Sequence, residues 1–321
     1  MFTYEVLDRL RKEYGKAFYV IDKDAFLFHF HLWREALSAE YPNVEIAYSY
    51  KTNYLPFLCD AVNRAGGFAE VVSATEFSIA QRINVPIDKI ILNGPYKPLH
   101  LTLETLSGGG TVNVDSFSEA EQIVDYICTL KEKPAYIGIR CNFCVDNRSS
   151  RFGIATDSHD FIKTINLFAE NGIKINSLHC HIKGCGVDTW KKKAQNMVAI
   201  YKSIKNYCSD NCIIDLGGGL PALIDEHERK IQIEAYVDAI AGTFKREFWG
   251  NGPHLFLEPG TALAAPCMSF VTSVMNKKEL NGIMYAILMA STQNTSSGKG
   301  KYRSLLYRSK ASFYYAEFSC Y

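Results

Sequence analysis

The strongest constraint on this chain is a regular alternation of short apolar runs with longer segments of helical apolar spacing, sustained from residue 45 to residue 257. The runs with strand character are Glu45–Tyr50, Gly67–Val72, Ile90–Asn93, Thr111–Val114, Ala135–Cys141, Ser177–His181, Cys212–Leu216 and His254–Leu257, and Phe18–Ile21 precedes them. Between them, Ala74–Ile83 opens on Ser73 with Glu76 three positions on, a capping box. Ser118–Leu130 and Trp190–Tyr207 show the same helical spacing, and Asp160–Asn171 ends on Gly172, a helix stop. Strands alternating with helices build βαβ units and a parallel sheet, and eight of them over this span predict a (β/α)8 TIM barrel. The alternative is an open doubly wound sheet, whose mark is a glycine-rich turn after the first strand. Here Lys51-Thr52-Asn53 follows the first of the eight strands and the glycine run follows the seventh, which favours the barrel.

The barrel is expected over residues 25–265. After Pro266, Met268–Met275 and Met284–Met289 read as strands joined by a loop containing Asn281-Gly282, a hairpin-type pair. Residues 1–24 and 266–321 therefore predict a partial β domain. From Ser291 the tail is rich in Ser, Tyr, Lys and Arg, holds Glu317 as its one acidic residue and shows no clear period. The expectation is a truncated or altered tail and an incomplete β domain.

Charge narrows the function classes. With 35 Lys+Arg against 34 Asp+Glu, the chain lacks the basic balance of a dedicated nucleic-acid binder. No run approaches the roughly 20 apolar residues of a membrane helix, and Met1–Glu5 opens no secretory signal. A cytoplasmic location with the ten cysteines reduced is expected. Cys141-x-x-Cys144 is the one pair suggestive of zinc, which needs a second ligand pair. His179-Cys180-His181 would have to provide it, but neighbouring strand residues diverge, so no metal is expected.

In such a barrel, chemistry sits at the carboxyl ends of the strands. The first strand ends at Lys51, which desolvation would keep neutral and nucleophilic; a surface lysine is the plain alternative. The sixth ends at His179-Cys180-His181, where an imidazole could stack on a flat ring or move protons. Two histidines at i and i+2 share a strand face. The seventh ends at Asp215-Leu216-Gly217-Gly218-Gly219, whose backbone N–H groups could converge on a phosphate; a flexible turn is the alternative. The eighth ends at Glu258-Pro259-Gly260, and a carboxylate there can hold a protonated heterocyclic nitrogen or simply cap a helix. An amine, a ring-stacking imidazole, a phosphate cradle and a pyridinium partner are together the inventory for pyridoxal 5'-phosphate (PLP).

Ordered along the chain, these segments resemble one family. Ala47-Tyr48-Ser49-Tyr50-Lys51-Thr52-Asn53, Glu70-Val71-Val72-Ser73-Ala74-Thr75-Glu76, Asn93-Gly94-Pro95-Tyr96-Lys97, Ser150-Arg151-Phe152-Gly153-Ile154, Leu178-His179-Cys180-His181-Ile182, Asp215-Leu216-Gly217-Gly218-Gly219 and Glu258-Pro259-Gly260 resemble motifs of the PLP-dependent decarboxylases of the alanine-racemase-like fold. That group contains the diaminopimelate, ornithine and arginine decarboxylases, and the pattern is nearest the diaminopimelate branch. The resemblance implies an internal aldimine on Lys51, His181 stacked on the pyridine ring, phosphate bound by Gly217, Gly218, Gly219 and the Gly260 turn, and Glu258 against the ring nitrogen. It further implies decarboxylation of an amino acid of diaminopimelate or basic type, a homodimer, and neither nucleic-acid nor membrane partners.

Three departures stand out. Lys183-Gly184 follows His181-Ile182 where the family usually has Gly-Ser, and Thr261 follows Gly260 where an arginine is usual. After Cys267 the only cysteine is Cys320, and no segment matches the family's Cys-x-x-x-Asp-type motif. Two alternatives remain open on the residues: a racemase on the same cofactor, and a non-catalytic relative that binds a partner.

Overall fold

The computed structural model describes residues 3–130, 136–223, 226–249, 252–291, 294, 302–307 and 313–318. In chain order the first elements are α1 (Tyr4–Tyr14), β1 (Ala17–Ile21), α2 (Lys23–Glu40), β2 (Val44–Ser49), α3 (Pro56–Arg64), β3 (Phe68–Val71) and α4 (Ala74–Arg82). There follow β4 (Ile90–Leu92), α5 (Leu99–Ser107), β5 (Thr111–Val114), α6 (Phe117–Ile127), β6 (Tyr136–Asn142), the short β7 (Ile154–Ala155) and α7 (His159–Glu170). Then come β8 (Lys174–His179), α8 (Val187–Ile204), β9 (Cys208–Asp215), α9 (Glu226–Val237), α10 (Thr243–Phe248), β10 (His254–Leu257) and α11 (Thr261–Ala264).

Eight of these strands pair in parallel in the order β5-β4-β3-β2-β10-β9-β8-β6, and β5 also pairs with β6. That last pairing closes the sheet, so the predicted (β/α)8 barrel is the observed fold. Closure leaves no unpaired edge among the eight strands. The helices begin where the sequence supplies caps. Ser73, Ser116 and Ser158 each accept a backbone N–H through their hydroxyl at the start of α4, α6 and α7. Outside the barrel, α2 buries Phe26, Phe30, Trp33 and Leu37 completely. Within it, Ala47, Ile91 and Phe256 form an apolar cluster backed by Phe68 and Ile213.

Toward the carboxyl ends the interior turns polar. Each barrel strand, or the residue just after it, contributes a buried polar side chain near its carboxyl end: Ser49, Glu70, Asn93, Asn113, Arg140, His179, Asp215 and Glu258. This layer is what the fold offers to chemistry.

The chain divides into two compact units, Lys23–Cys267 and Met1–Asp22 with Met268–Tyr321. In the latter, β1 pairs antiparallel with β11 (Met268–Thr272), Ala17 opposite Thr272 and Ile21 opposite Met268. β12 (Val274–Leu280) and β13 (Ile283–Leu288) form a hairpin, and β14 (Tyr302–Tyr307) and β15 (Phe313–Phe318) another. Asn281 and Gly282 both have positive φ, 53° and 75°, as a type I′ hairpin turn requires. The sequence predicts one strand over Met268–Met275 and a loop from there to Gly282. Instead the break falls at Ser273, and β12 runs to Leu280. Its Lys277, Lys278 and Glu279 are exposed, and a strand with neither face covered shows no apolar alternation. Two further strands also lie in the tail read as lacking period. Cys320 lies outside the described residues.

One buried cation in the barrel unit has a measurable consequence. Lys193 of α8 is fully buried with its Nζ 3.3 Å from the Trp190 ring centroid and without a hydrogen-bond partner among the described residues. Burial pulls its ammonium down to about 8. The unfolded chain thus binds this proton more tightly, and stability should rise with pH between about 8 and about 10.5. K193M should lose that slope and gain about 1–3 kcal/mol at pH 7. Urea unfolding across that pH range checks both.

Candidate active site

Lys51 is raised to the barrel mouth by a single 3-10 turn, Tyr50–Thr52, that follows β2. Tyr50 is buried beneath it. Gly260 lets the loop after β10 approach: a Cβ there would lie 1.9 Å from Thr52 Oγ1. The Lys51 ammonium pairs with Glu70 Oε2, which also accepts from Ser49 Oγ at 2.6 Å. Burial works to lower the Lys51 pKa, but the charges of Glu70 and Glu258 together outweigh it and the net direction is up. This corrects the expectation of a neutral amine. Desolvation is present, and two carboxylates reverse its effect.

Glu258 stands just past β10 with its side chain almost wholly buried. Its Oε1 accepts from Asn93 Nδ2 at 2.6 Å, whereas Oε2 has no hydrogen-bond partner among the described residues. His179 Nε2 lies 3.4 Å and His181 Nδ1 3.8 Å from Oε2. Burial pushes the Glu258 carboxyl up, yet the two imidazoles and the Lys51 ammonium hold it well below the usual range. His179, buried, is pushed the other way, toward the neutral imidazole, with Glu258 opposing. Asp215 is driven well above the carboxylate range by burial and by the Glu258 charge. Of two neighbouring carboxyls, Glu258 carries the charge.

The glycine run lies beside these groups. Gly217 N–H donates to Asp215 Oδ1 at 2.8 Å and Gly218 N–H to His181 Nδ1 at 3.3 Å. A Cβ on Gly217 would meet Cys180 O at 2.3 Å, and one on Gly218 would meet Glu258 O at 2.6 Å. Gly217 (φ 69°) and Gly219 (φ 102°) also hold left-handed backbone. Two of the three N–H groups expected to converge on an anion are thus engaged inside the protein. The Gly218 bond leaves the imidazole proton of a neutral His181 on Nε2.

A cavity of about 690 Å³ opens above this layer. Lys51, His181 and Glu258 line it, as do Glu70, Asn93 and His179. Arg140, Arg151 and Lys183 bring positive charge to it. Arg140 is buried and pairs with Asp115 at 3.3 Å, while Arg151 and Lys183 are exposed. Glu70, Asn93 and Arg140 received no role from the sequence, although each sits at a strand's carboxyl end. Of the cysteine pair, Cys141 is buried in β6 and Cys144 is exposed. The ligand atoms of His179, His181 and Glu258 all lie within 4.8 Å of one another.

The barrel and its mouth define the alanine-racemase-like class of fold. A sequence model described as pyridoxal-dependent decarboxylase, pyridoxal binding domain, matches residues 24–265. The chain therefore belongs to the PLP-dependent decarboxylase family, whose members are carboxy-lyases with pyridoxal 5'-phosphate as cofactor. It is 24% identical over 301 residues to the diaminopimelate decarboxylase of Aquifex aeolicus, covering 88% of this chain and 68% of that one. The probable chloroplastic diaminopimelate decarboxylase of Oryza sativa is 27% identical, with 81% and 54% covered. The chain thus spans between about half and two thirds of these relatives' lengths. Among solved structures, the Methanocaldococcus jannaschii diaminopimelate decarboxylase in co-complex with L-lysine shares the fold at a TM-score of 0.77, with 24% identity over 89% of this chain and 70% of that one. The Paramecium bursaria Chlorella virus arginine decarboxylase bound to agmatine does so at 0.76, with 19% identity over 96% and 83%.

The Lys51–Glu70 pair yields a direct test. Glu70→Gln removes the nearest negative charge, so burial should draw the Lys51 pKa down by at least about one unit. Competitive amine labelling of Lys51 against pH, read by peptide mapping, should show the midpoint move to lower pH.

Proposed function

We propose that this chain binds PLP in the cavity through Lys51 and decarboxylates an amino acid. The observation that carries the reading is Glu258: a buried carboxylate held ionised in the cavity that Lys51 overlooks, with Oε2 accepting no aligned nitrogen donor among the described residues. An anionic oxygen without a donor is costly in a barrel interior, and a protonated ring nitrogen would satisfy it. PLP, when bound, supplies the electron sink that makes loss of an α-carboxylate feasible.

The chain's own residues supply the rest. Lys51 Nζ is the amine for covalent attachment, and Glu70 is placed to take its proton. His181, at the cavity wall, is the flat group against which the ring would lie. Glu258 would keep the ring nitrogen protonated. For the phosphate, Gly217, Gly218 and Gly219 remain the candidate cradle, with Gly260 holding the neighbouring loop against Thr52. The Gly218 N–H is released only if it leaves His181 Nδ1. Lys183 and Arg151 stand exposed at the same cavity and suit a phosphate or a carboxylate. A diaminopimelate- or basic-type amino acid is the substrate class that the relatives support. The reading extends to a homodimer, checked by solution mass. It also extends to a cytoplasmic location, consistent with the absence of any disulfide among the described cysteines and of any membrane-length apolar helix among the described residues.

Borohydride reduction of the PLP-loaded chain should fix the cofactor on the peptide containing Lys51, and Lys51→Ala should abolish that label. Carbon dioxide release from candidate amino acids should fall about 100-fold or more in Glu258→Gln. A folded wild-type chain that takes up no PLP would sink the reading.

A further inference from the structure

Asn93 is placed where the two charged halves of this site meet. Its Nδ2 donates to Glu70 Oε1 at 3.2 Å and to Glu258 Oε1 at 2.6 Å, and its Oδ1 accepts from Asn113 Nδ2 at 2.9 Å. One amide nitrogen thus spends both hydrogens on two carboxylates. The flipped amide is excluded, because it would turn Oδ1 against both anions and point Nδ2 at another donor. Asn93, Glu70 and Glu258 are all nearly inaccessible to solvent. His179 Nε2, though 3.4 Å from Glu258 Oε2, is not aligned for a hydrogen bond. Among the described residues, the Asn93 amide is therefore the one aligned side-chain nitrogen donor to Glu258, beside the neutral Asp215 carboxyl.

The backbone holds this amide firmly. Asn93 N–H donates to Val71 O at 2.9 Å, one residue past Glu70. Gly94 follows at φ 106°. The Gly94 carbonyl accepts from Lys97 Nζ at 2.7 Å, and Lys97, buried, pairs with Glu119 at 2.9 Å. Glu119 in turn accepts from Asp115 N–H at 2.7 Å beside the start of α6. The sequence Asn93-Gly94-Pro95-Tyr96-Lys97 is thus a turn pinned at both ends, with Asn93 directed into the barrel.

We propose that Asn93 is a positioning residue for the cofactor: its single amide fixes, in one frame, the carboxylate that would meet the ring nitrogen and the carboxylate that holds Lys51. The inference rests on the PLP reading above. Separate carboxylates would each settle to their own local optimum. Tied through one amide, they keep the amine and the ring-nitrogen partner at a set spacing before anything binds, and that preorganisation raises affinity.

The test compares the full wild-type chain with Asn93→Asp, which keeps the shape and loses both donors, and Asn93→Leu, which has similar bulk and no polar group. Fold is checked by circular dichroism and urea unfolding, and PLP is titrated by visible absorbance. Both variants are expected to bind PLP about 10- to 100-fold more weakly, as a buried carboxylate stripped of its donor would dictate. The pH midpoint of the bound cofactor's absorbance should also move by about one unit, which a purely structural role would not produce. Should neither variant fold, Asn113→Ser decides: it removes the donor that orients the amide and should weaken PLP binding roughly three- to tenfold. Folded variants with wild-type affinity and an unmoved midpoint overturn the Asn93 assignment alone. A folded wild-type chain that binds no PLP overturns both it and the cofactor reading.

Discussion

A negative charge sealed inside a closed barrel governs this structure. Glu258 has left water almost completely, and a carboxylate so placed either protonates or is held by its surroundings. Here it is held: by the Asn93 amide, by two imidazoles and by the Lys51 ammonium. Its neighbour Asp215 takes the other course and is pushed toward the neutral acid. Two carboxyls in one low-dielectric space rarely both ionise, and the difference in donors decides which one does.

The architecture around this charge follows from what it needs. Each barrel strand brings one buried polar group to the same end, and closure of β5 onto β6 keeps those groups in a fixed ring. The loops beyond are close enough to require glycine. Gly217 and Gly218 back against Cys180, His181 and Glu258, and Gly260 against Thr52. A side chain at any of these positions would push the loop away from the carboxylate it helps enclose.

That Lys51, His181 and Glu258 share one end of the barrel was legible in the sequence because each follows a strand whose end is marked by an abrupt change of residue type. Glu70, Asn93 and Arg140 were not. They sit inside or just beyond strands that read as apolar, and their roles come from partners 19 or more positions away, such as Glu70 with Lys51 and Asn93 with Glu258. Spacing along one strand carries no trace of such partners. The charge state of Lys51 failed for the same reason: desolvation can be read from a single strand, but the opposing carboxylates come from β3 and from beyond β10. In the second unit, turn chemistry at Asn281-Gly282 was readable because φ preference is local. The extent of β12 was not, because an exposed strand imposes no apolar period.

The distribution of charge also restricts what the cavity can accept. Its deep end is anionic, with Glu70 and Glu258 buried against a single ammonium. Its exposed end presents Arg151 and Lys183, and between them lies Arg140, already paired with Asp115. A purely anionic ligand would leave Glu258 unsatisfied, and a purely cationic one would meet repulsion at the rim. A flat molecule with a protonatable nitrogen at one end and an anionic group at the other satisfies both, and it can enter in one orientation only. Pyridoxal 5'-phosphate has that polarity, and it carries an aldehyde with which the Lys51 amine, at the wall of the same cavity, could react. A ligand of that polarity would turn its protonated nitrogen toward Glu258 and its anionic group toward Arg151 and Lys183.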